Sequence, residues 1–176
     1  MNTYLSWSGE DSRKAASALR RVISEVAPNT IVFSGWEDIK AGEHWQRAMI
    51  EQLQQADMAL FFITPSNLHS PWIHFEAGAI VGRGLPIVPI LVGVQPSQLS
   101  GPLNAYQSVS TSQESLSRLL IHLGGTPSRV AEAVPALSRD LALIAHTPTG
   151  STSTEASSAA FDKAWEQELQ KIKPTS

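Results

Sequence analysis

"MALFFITPSNLHSPWIHFEAGAI", residues 58–80, holds the two element types whose alternation decides the fold. It begins with a short apolar run, Met58–Thr64, that reads as a strand, and after a polar loop it enters a segment that reads as a helix. Ser70 stands at the expected cap and Pro71 at the first helical position, where its fixed φ is already suited to a helix. The helix is expected to stop near Gly82, where glycine takes the left-handed cap. It carries Trp72 and Glu76 one turn apart on the same side, in an otherwise apolar neighbourhood.

Outward from this stretch the same alternation repeats. Further strands are read at Thr3–Ser6, Thr30–Ser34, Leu85–Val92 and Ser108–Ser110. Between the first two lies "DSRKAASALRRVISEV", in which Ala16, Leu19, Val22, Ile23 and Val26 recur at helical spacing, and Ser8 followed by Asp11 has the spacing of a capping box. The next crossover, "EHWQRAMIEQLQQA", has an apolar stripe of Trp45, Met49, Ile50 and Leu53. Short apolar strands joined by amphipathic crossovers are the pattern of a parallel sheet covered on both faces. "SQESLSRLLIHL" follows as a helix ended by Gly124-Gly125. The domain core is expected over residues 1–126, an additional helix over 127–146, a flexible connector over 147–158 and a C-terminal helix over 159–173.

The bulk composition narrows the function classes. The chain has 176 residues, 42% of them hydrophobic, which suits one domain with a sizeable core. A net charge of -3 and scattered basic residues disfavour direct nucleic-acid binding. With no cysteine there is no disulfide, thiolate zinc site or cysteine nucleophile, and the cytoplasm is the default location. The longest apolar run, "LPIVPILVGV", is far below the roughly 18 residues that suggest a membrane span, and no signal peptide or anchor is expected.

In an open parallel sheet, ligands bind outside the carboxyl ends of the strands. The segments that leave the first three strands, "SWSGED", "SGWEDIKAGEHW" and "TPSNLHSPWIHFE", are the richest in tryptophan, acidic and small polar residues. Trp7, Trp36, Trp45 and Trp72 lie in or beside them, which points to a ligand with flat rings; Trp45 fits its helical stripe and is read as core. Glu76 has an ordinary explanation as an acid near a helix N-terminus. Against it, an ionisable group in a helix that must cover a sheet is costly unless it meets solvent, a partner or a substrate. Glu76 is therefore expected at the rim of a pocket, with Ala77, Gly78 and Ala79 letting the helix lie close to the sheet. His44, His69 and His74 lack a zinc-type spacing, so no metal site is expected. No nucleophile elbow, phosphate loop or dinucleotide fingerprint is present in the sequence.

Taken in order, three motifs resemble a Toll/interleukin-1 receptor (TIR) domain. "YLSWSGEDSRKAASAL" resembles the family's first box, especially its plant-type form; "EDIKAGEHWQRAMIEQLQQAD" resembles the BB loop and the helix after it; "ALFFITPSNLHSPWIHFEAGAI" resembles the segment with the S-x-W-x-x-x-E signature. The resemblance covers residues 3–92 well and extends loosely to 124. It implies a flavodoxin-like three-layer α/β/α fold with a five-stranded parallel sheet of order 2-1-3-4-5. For many bacterial and plant members it also implies cleavage of NAD+ between nicotinamide and ribose, with NAD+ as substrate and no separate cofactor. Glu76 falls on the family's catalytic glutamate and Trp72 on the aromatic residue four positions earlier. Ser6, Trp7, Ser8 and Gly9 are expected to border the nicotinamide-ribose pocket, with Asp38 and Lys40 approaching from the second loop. Asp38, Ile39, Lys40, Ala41 and Gly42 correspond to the BB loop, through which domains self-associate and complete the pocket. Water attack would give ADP-ribose, and attack by a group of the same nucleotide a cyclic product. The compact Ser-Pro-Trp-x-x-x-Glu-Ala-Gly-Ala form suggests a bacterial member acting in anti-phage defence, with a C-terminal sensor module or partner protein. Two competing readings stay open: a non-catalytic TIR interaction module, and an enzyme resembling nucleoside 2-deoxyribosyltransferases, which also use a glutamate on a similar sheet.

Overall fold

The computed structural model describes residues 1–33 and 51–146. Five strands, β1 (Asn2–Ser6), β2 (Ile31–Phe33), β3 (Met58–Ile63), β4 (Ile87–Leu91) and β5 (Val109–Ser110), form one parallel sheet of order β2-β1-β3-β4-β5. The chain steps from β1 outward to β2 and then returns past β1 to β3, and the helix that follows β1 and the helix that follows β3 pack on opposite faces. Among the described residues four helices accompany the strands: α1 (Glu10–Val26), α2 (Pro71–Gly82), α3 (Gln113–His122) and α4 (Pro127–His146). Residues 51–55 are also helical, and short 3-10 turns occupy Pro96–Gln98 and Gly101–Ala105. The remainder of the second crossover, with Trp45, Met49 and Ile50, lies outside the described residues, as do the connector and C-terminal helix expected after residue 146.

Each face of the sheet has its own apolar cluster, and strand alternation assigns residues to them. On one side Leu5 and Trp7 join Leu60 and Phe62 of β3 beneath α1, α3 and α4. On the other Tyr4 joins Ala59 and Phe61 beneath α2 and Leu53. All six side chains of β3 are buried, which explains why its sequence shows no polar alternation. Pro89 is tolerated in β4 because β5 pairs only with Ile90 and Leu91, leaving Pro89 beyond that ladder.

α4 packs on α1 and belongs to the first cluster: Val130, Val134, Leu137 and Leu141 are all at most 2% exposed. Pro135 lies inside it and removes one intrahelical donor, a cost of about 3 kcal/mol in an unsupported helix. Four buried aliphatic side chains at about 2 kcal/mol each outweigh that loss. The turn between α3 and α4 needs Gly125, because a Cβ there would stand 2.7 Å from the Leu120 carbonyl and the Val130 side chain. Among the described residues no helix is long and apolar enough to cross a membrane.

Candidate active site at the carboxyl edge of the sheet

β1 leaves the sheet at Ser6 and turns directly into α1. The turn depends on Gly9, whose φ of 87° lies in the region open to glycine. The capping box expected from Ser8 and Asp11 does not form: the cap position is Gly9, and its neighbours are held by Ser12 instead. The Ser12 hydroxyl accepts from the Ser8 amide at 3.0 Å and donates to the Ser8 carbonyl at 2.6 Å. One side chain inside the helix thus closes the turn that precedes it.

β3 leaves the sheet into residues 64–70, which are pinned by Asn67. This buried side chain accepts from the Thr64 amide at 2.8 Å and donates to the Phe62 carbonyl at 2.9 Å. Ser70 occupies the cap position of α2 and Pro71 its first turn, as expected, but the Ser70 hydroxyl does not cap its own helix. It donates to Ser8 Oγ at 3.3 Å, tying the start of α2 to the exit of β1. The left-handed residue after α2 is Gly84, with φ 71°, and Gly82 remains within the helix.

α2 turns Ile73, Glu76, Ala77 and Ile80 toward the sheet, so Glu76 occupies a position that helical periodicity reserves for the core. It is 2% exposed. Its expected place at a pocket rim is therefore corrected: the carboxyl lies beneath the edge, against β1. Gly78 and Ala79 are exposed, and only Ala77 of that trio lies against the sheet. Tyr4 and Ser6, which alternation puts on the same side of β1, reach the carboxyl from below. The Tyr4 phenol donates to Oε1 at 2.7 Å, and the Ser6 hydroxyl donates to Oε2. Among the described residues these neutral donors are its hydrogen-bond partners, and no cation acts on it.

The electrostatics follow from that enclosure. Burial pushes the Glu76 carboxyl up to about 7, against the opposing pull of the Ser6 and Tyr4 hydrogen bonds, which favour the charged form. Tyr4 is held well above the usual phenol range, first by burial and then by the carboxylate beside it. Near neutrality the site therefore holds a carboxyl that exchanges between its two protonation states, with no counter-ion among the described residues.

The residues expected around Glu76 are distributed unequally. Ser6 contacts it directly, and Ser8 and Gly9 form the adjoining turn. Trp72 is half-buried one turn before Glu76, and its ring stacks on the exposed Phe75 with centroids 5.8 Å apart and planes inclined by 27°. Trp7 does not join this group: it belongs to the cluster on the opposite face, because its parity along the chain is that of Leu5. Asp38, Ile39, Lys40, Ala41 and Gly42 lie outside the described residues. Tyr4 and Asn67 are additions. The signal for Tyr4 was available, since a tyrosine within a buried strand needs a partner for its hydroxyl and shares a face with Ser6.

No curated protein matches the chain. Among solved structures, the TIR domains of the activated Roq1 resistosome directly recognizing the pathogen effector XopQ align over 98% of this chain and 99% of theirs, with 17% identity and a TM-score of 0.43. A 2-deoxyribosyltransferase from the psychrotolerant bacterium Bacillus psychrosaccharolyticus aligns over 52% of this chain and 72% of its own, with 22% identity and a TM-score of 0.38. The TIR domain family model matches residues 4–120, a span that runs from Tyr4 in β1 through Glu76 to α3 and takes in well over half of the sequence. The chain belongs to the TIR domain family.

Proposed function

We propose that this TIR domain cleaves NAD+ at the bond between nicotinamide and ribose, with Glu76 as the catalytic carboxylate. The observation that supports this most is the carboxyl itself, buried at the ligand-binding edge of a parallel sheet, held by two neutral hydroxyls and lacking a cation among the described residues. Folding stability alone does not favour such a group, because taking a carboxylate out of water without a counter-charge is costly.

The reaction brings a positive charge to the carboxylate. As the C1′–N1 bond breaks, nicotinamide leaves as a neutral molecule with the bonding electron pair, and positive charge develops on C1′ and the ribose ring oxygen. A fixed anion in a desolvated site interacts with that charge more strongly than with the ground state, which lowers the barrier. Two donors do not exhaust the acceptor capacity of a carboxylate, so ribose hydroxyls can still bond to it. Water then adds to C1′ and releases its proton to solvent, giving ADP-ribose; attack by a group of the same nucleotide gives a cyclic product. Trp72 offers a flat surface for a ring or the ribose. The N-terminus of α2, with no acidic side chain in its first turn, favours an anionic group nearby.

Self-association through Asp38, Ile39, Lys40, Ala41 and Gly42 completes the proposal, with Asp38 and Lys40 also approaching the substrate. A cytoplasmic place in bacterial anti-phage defence belongs to the same reading and rests on family resemblance alone. The test is nicotinamide release from NAD+ at high protein concentration, with Glu76→Ala as the control and circular dichroism to establish folding. The variant should lose activity by at least about 10²–10³-fold, the range for removal of a preorganised electrostatic stabiliser. Equal release by the folded variant would overturn the assignment, and NAD+ left uncleaved by wild type even when clustered would favour a non-catalytic module.

A further inference from the structure

We propose that Tyr4 is a positioning residue for Glu76, its phenol holding Oε1 from the β1 side and favouring the ionised carboxylate. This deepens the reading of Glu76 as the catalytic group and rests on it. Three observations carry it. The Tyr4 hydroxyl donates to Glu76 Oε1 at 2.7 Å, between residues 72 positions apart in sequence. Tyr4 is 0% exposed and Glu76 2%, so water does not substitute for the bond. Tyr4 pairs in register with Phe33 on one side and Ala59 on the other, which fixes its backbone in the middle of the sheet.

The groups packed around the carboxyl leave Tyr4 and Ser6 as its only polar controls among the described residues. The apolar cluster to which Tyr4 belongs takes Ile73, Ala77 and Ile80 from α2 and Ala59 and Phe61 from β3, all uncharged. Among the described residues the phenol is also the only other ionisable group acting on the carboxyl, and burial keeps it neutral far above the pH at which Glu76 titrates. It therefore acts as a hydrogen-bond donor throughout the working range. With Ser6 holding Oε2, the two donors fix both oxygens and set the plane of the carboxylate. Donation to the charged form lowers the energy of that form relative to the acid, offsetting part of the penalty of burial.

The experiment compares wild type with Tyr4→Phe, which keeps the ring and its packing and removes only the hydroxyl. The carboxyl carbon of Glu76 is followed by ¹³C NMR over pH 5 to 9 in glutamate-labelled full chain, its signal identified by absence from Glu76→Gln. The midpoint in Tyr4→Phe should rise by about one pH unit, the scale of one lost charge-assisted hydrogen bond. The acid limb of kcat for NAD+ cleavage should move by the same amount, with the two enzymes converging toward pH 9. An unchanged midpoint, as a purely packing role for Tyr4 requires, would overturn the proposal. The titration needs no turnover, so its outcome stands apart from the catalytic reading, which fails if folded Glu76→Gln still releases nicotinamide.

Discussion

The two faces of the sheet are built on different terms. Beneath α1, α3 and α4 the interior is a continuous apolar cluster into which α4 sets four aliphatic side chains. Beneath α2 an equally buried cluster surrounds an ionisable carboxyl. Of the buried polar residues described, Ser6, Asp11, Ser12, Thr64, Asn67 and Glu76 lie at or just beyond the carboxyl ends of β1 and β3, and only Thr3 lies elsewhere. The contrast separates a face that stabilises the domain from an edge that costs stability, and such a cost is expected where a site is prepared for chemistry.

The most severe way to break the first face is to remove α4. A chain ending at Thr126 exposes the surface that Val130, Val134, Leu137 and Leu141 cover, a loss comparable with the 5–15 kcal/mol stability of an ordinary domain. Such a chain should show no cooperative thermal unfolding, whereas a chain ending at His146 should retain it. Cooperative melting of the shorter chain would show that α4 is an appendage.

The second face should respond in the opposite sense. Because the folded carboxyl titrates near 7 and the unfolded one near the ordinary glutamate value, the folded state binds more protons between those limits. Stability contributed by the protonated form is present at low pH and is lost as pH rises through that window. Glu76→Gln should therefore stabilise the domain at pH 8 by up to about 3 kcal/mol, with the advantage shrinking toward pH 4.5. Melting temperatures of the two proteins measured across pH would show it; a variant less stable than wild type at pH 8 would mean that the carboxylate has an ionic partner.

A smaller effect belongs to the loop that sets α2 in place. Asn67→Ala leaves the Thr64 amide and the Phe62 carbonyl without their partner and should cost about 2 kcal/mol. Urea unfolding would measure it, and a cost near zero would mean that the loop holds its shape without Asn67.

Much of this contrast was legible in the sequence. The five strands lie within two residues of their expected ends, and α4 follows the aliphatic spacing from Pro127 to His146, because periodic burial is a local signal. The TIR resemblance of the three motifs led to Glu76, and the family match spans it. What stayed hidden was which partner each polar side chain takes, near or far in sequence. Ser8 with Asp11 had the spacing of a capping box, yet Ser12 holds the turn; Ser70 looked like a cap, yet its hydroxyl reaches Ser8. Gly78 and Ala79 suggested close approach to the sheet, but periodicity turns them to solvent. The burial of Glu76 followed from its place in the stripe of Ile73, Ala77 and Ile80, a pattern obscured because the exposed side of α2 is apolar too.

The central claim, that the buried carboxyl exists for a developing positive charge, is tested most directly by the pH dependence of nicotinamide release. Concentrated wild-type protein should cleave NAD+ with a rate that rises as pH passes through about 7, in step with ionisation of Glu76, while folded Glu76→Gln remains inactive across the range. A rate that is flat through neutrality, or a Glu76→Gln variant that cleaves NAD+ as fast as wild type, would contradict it.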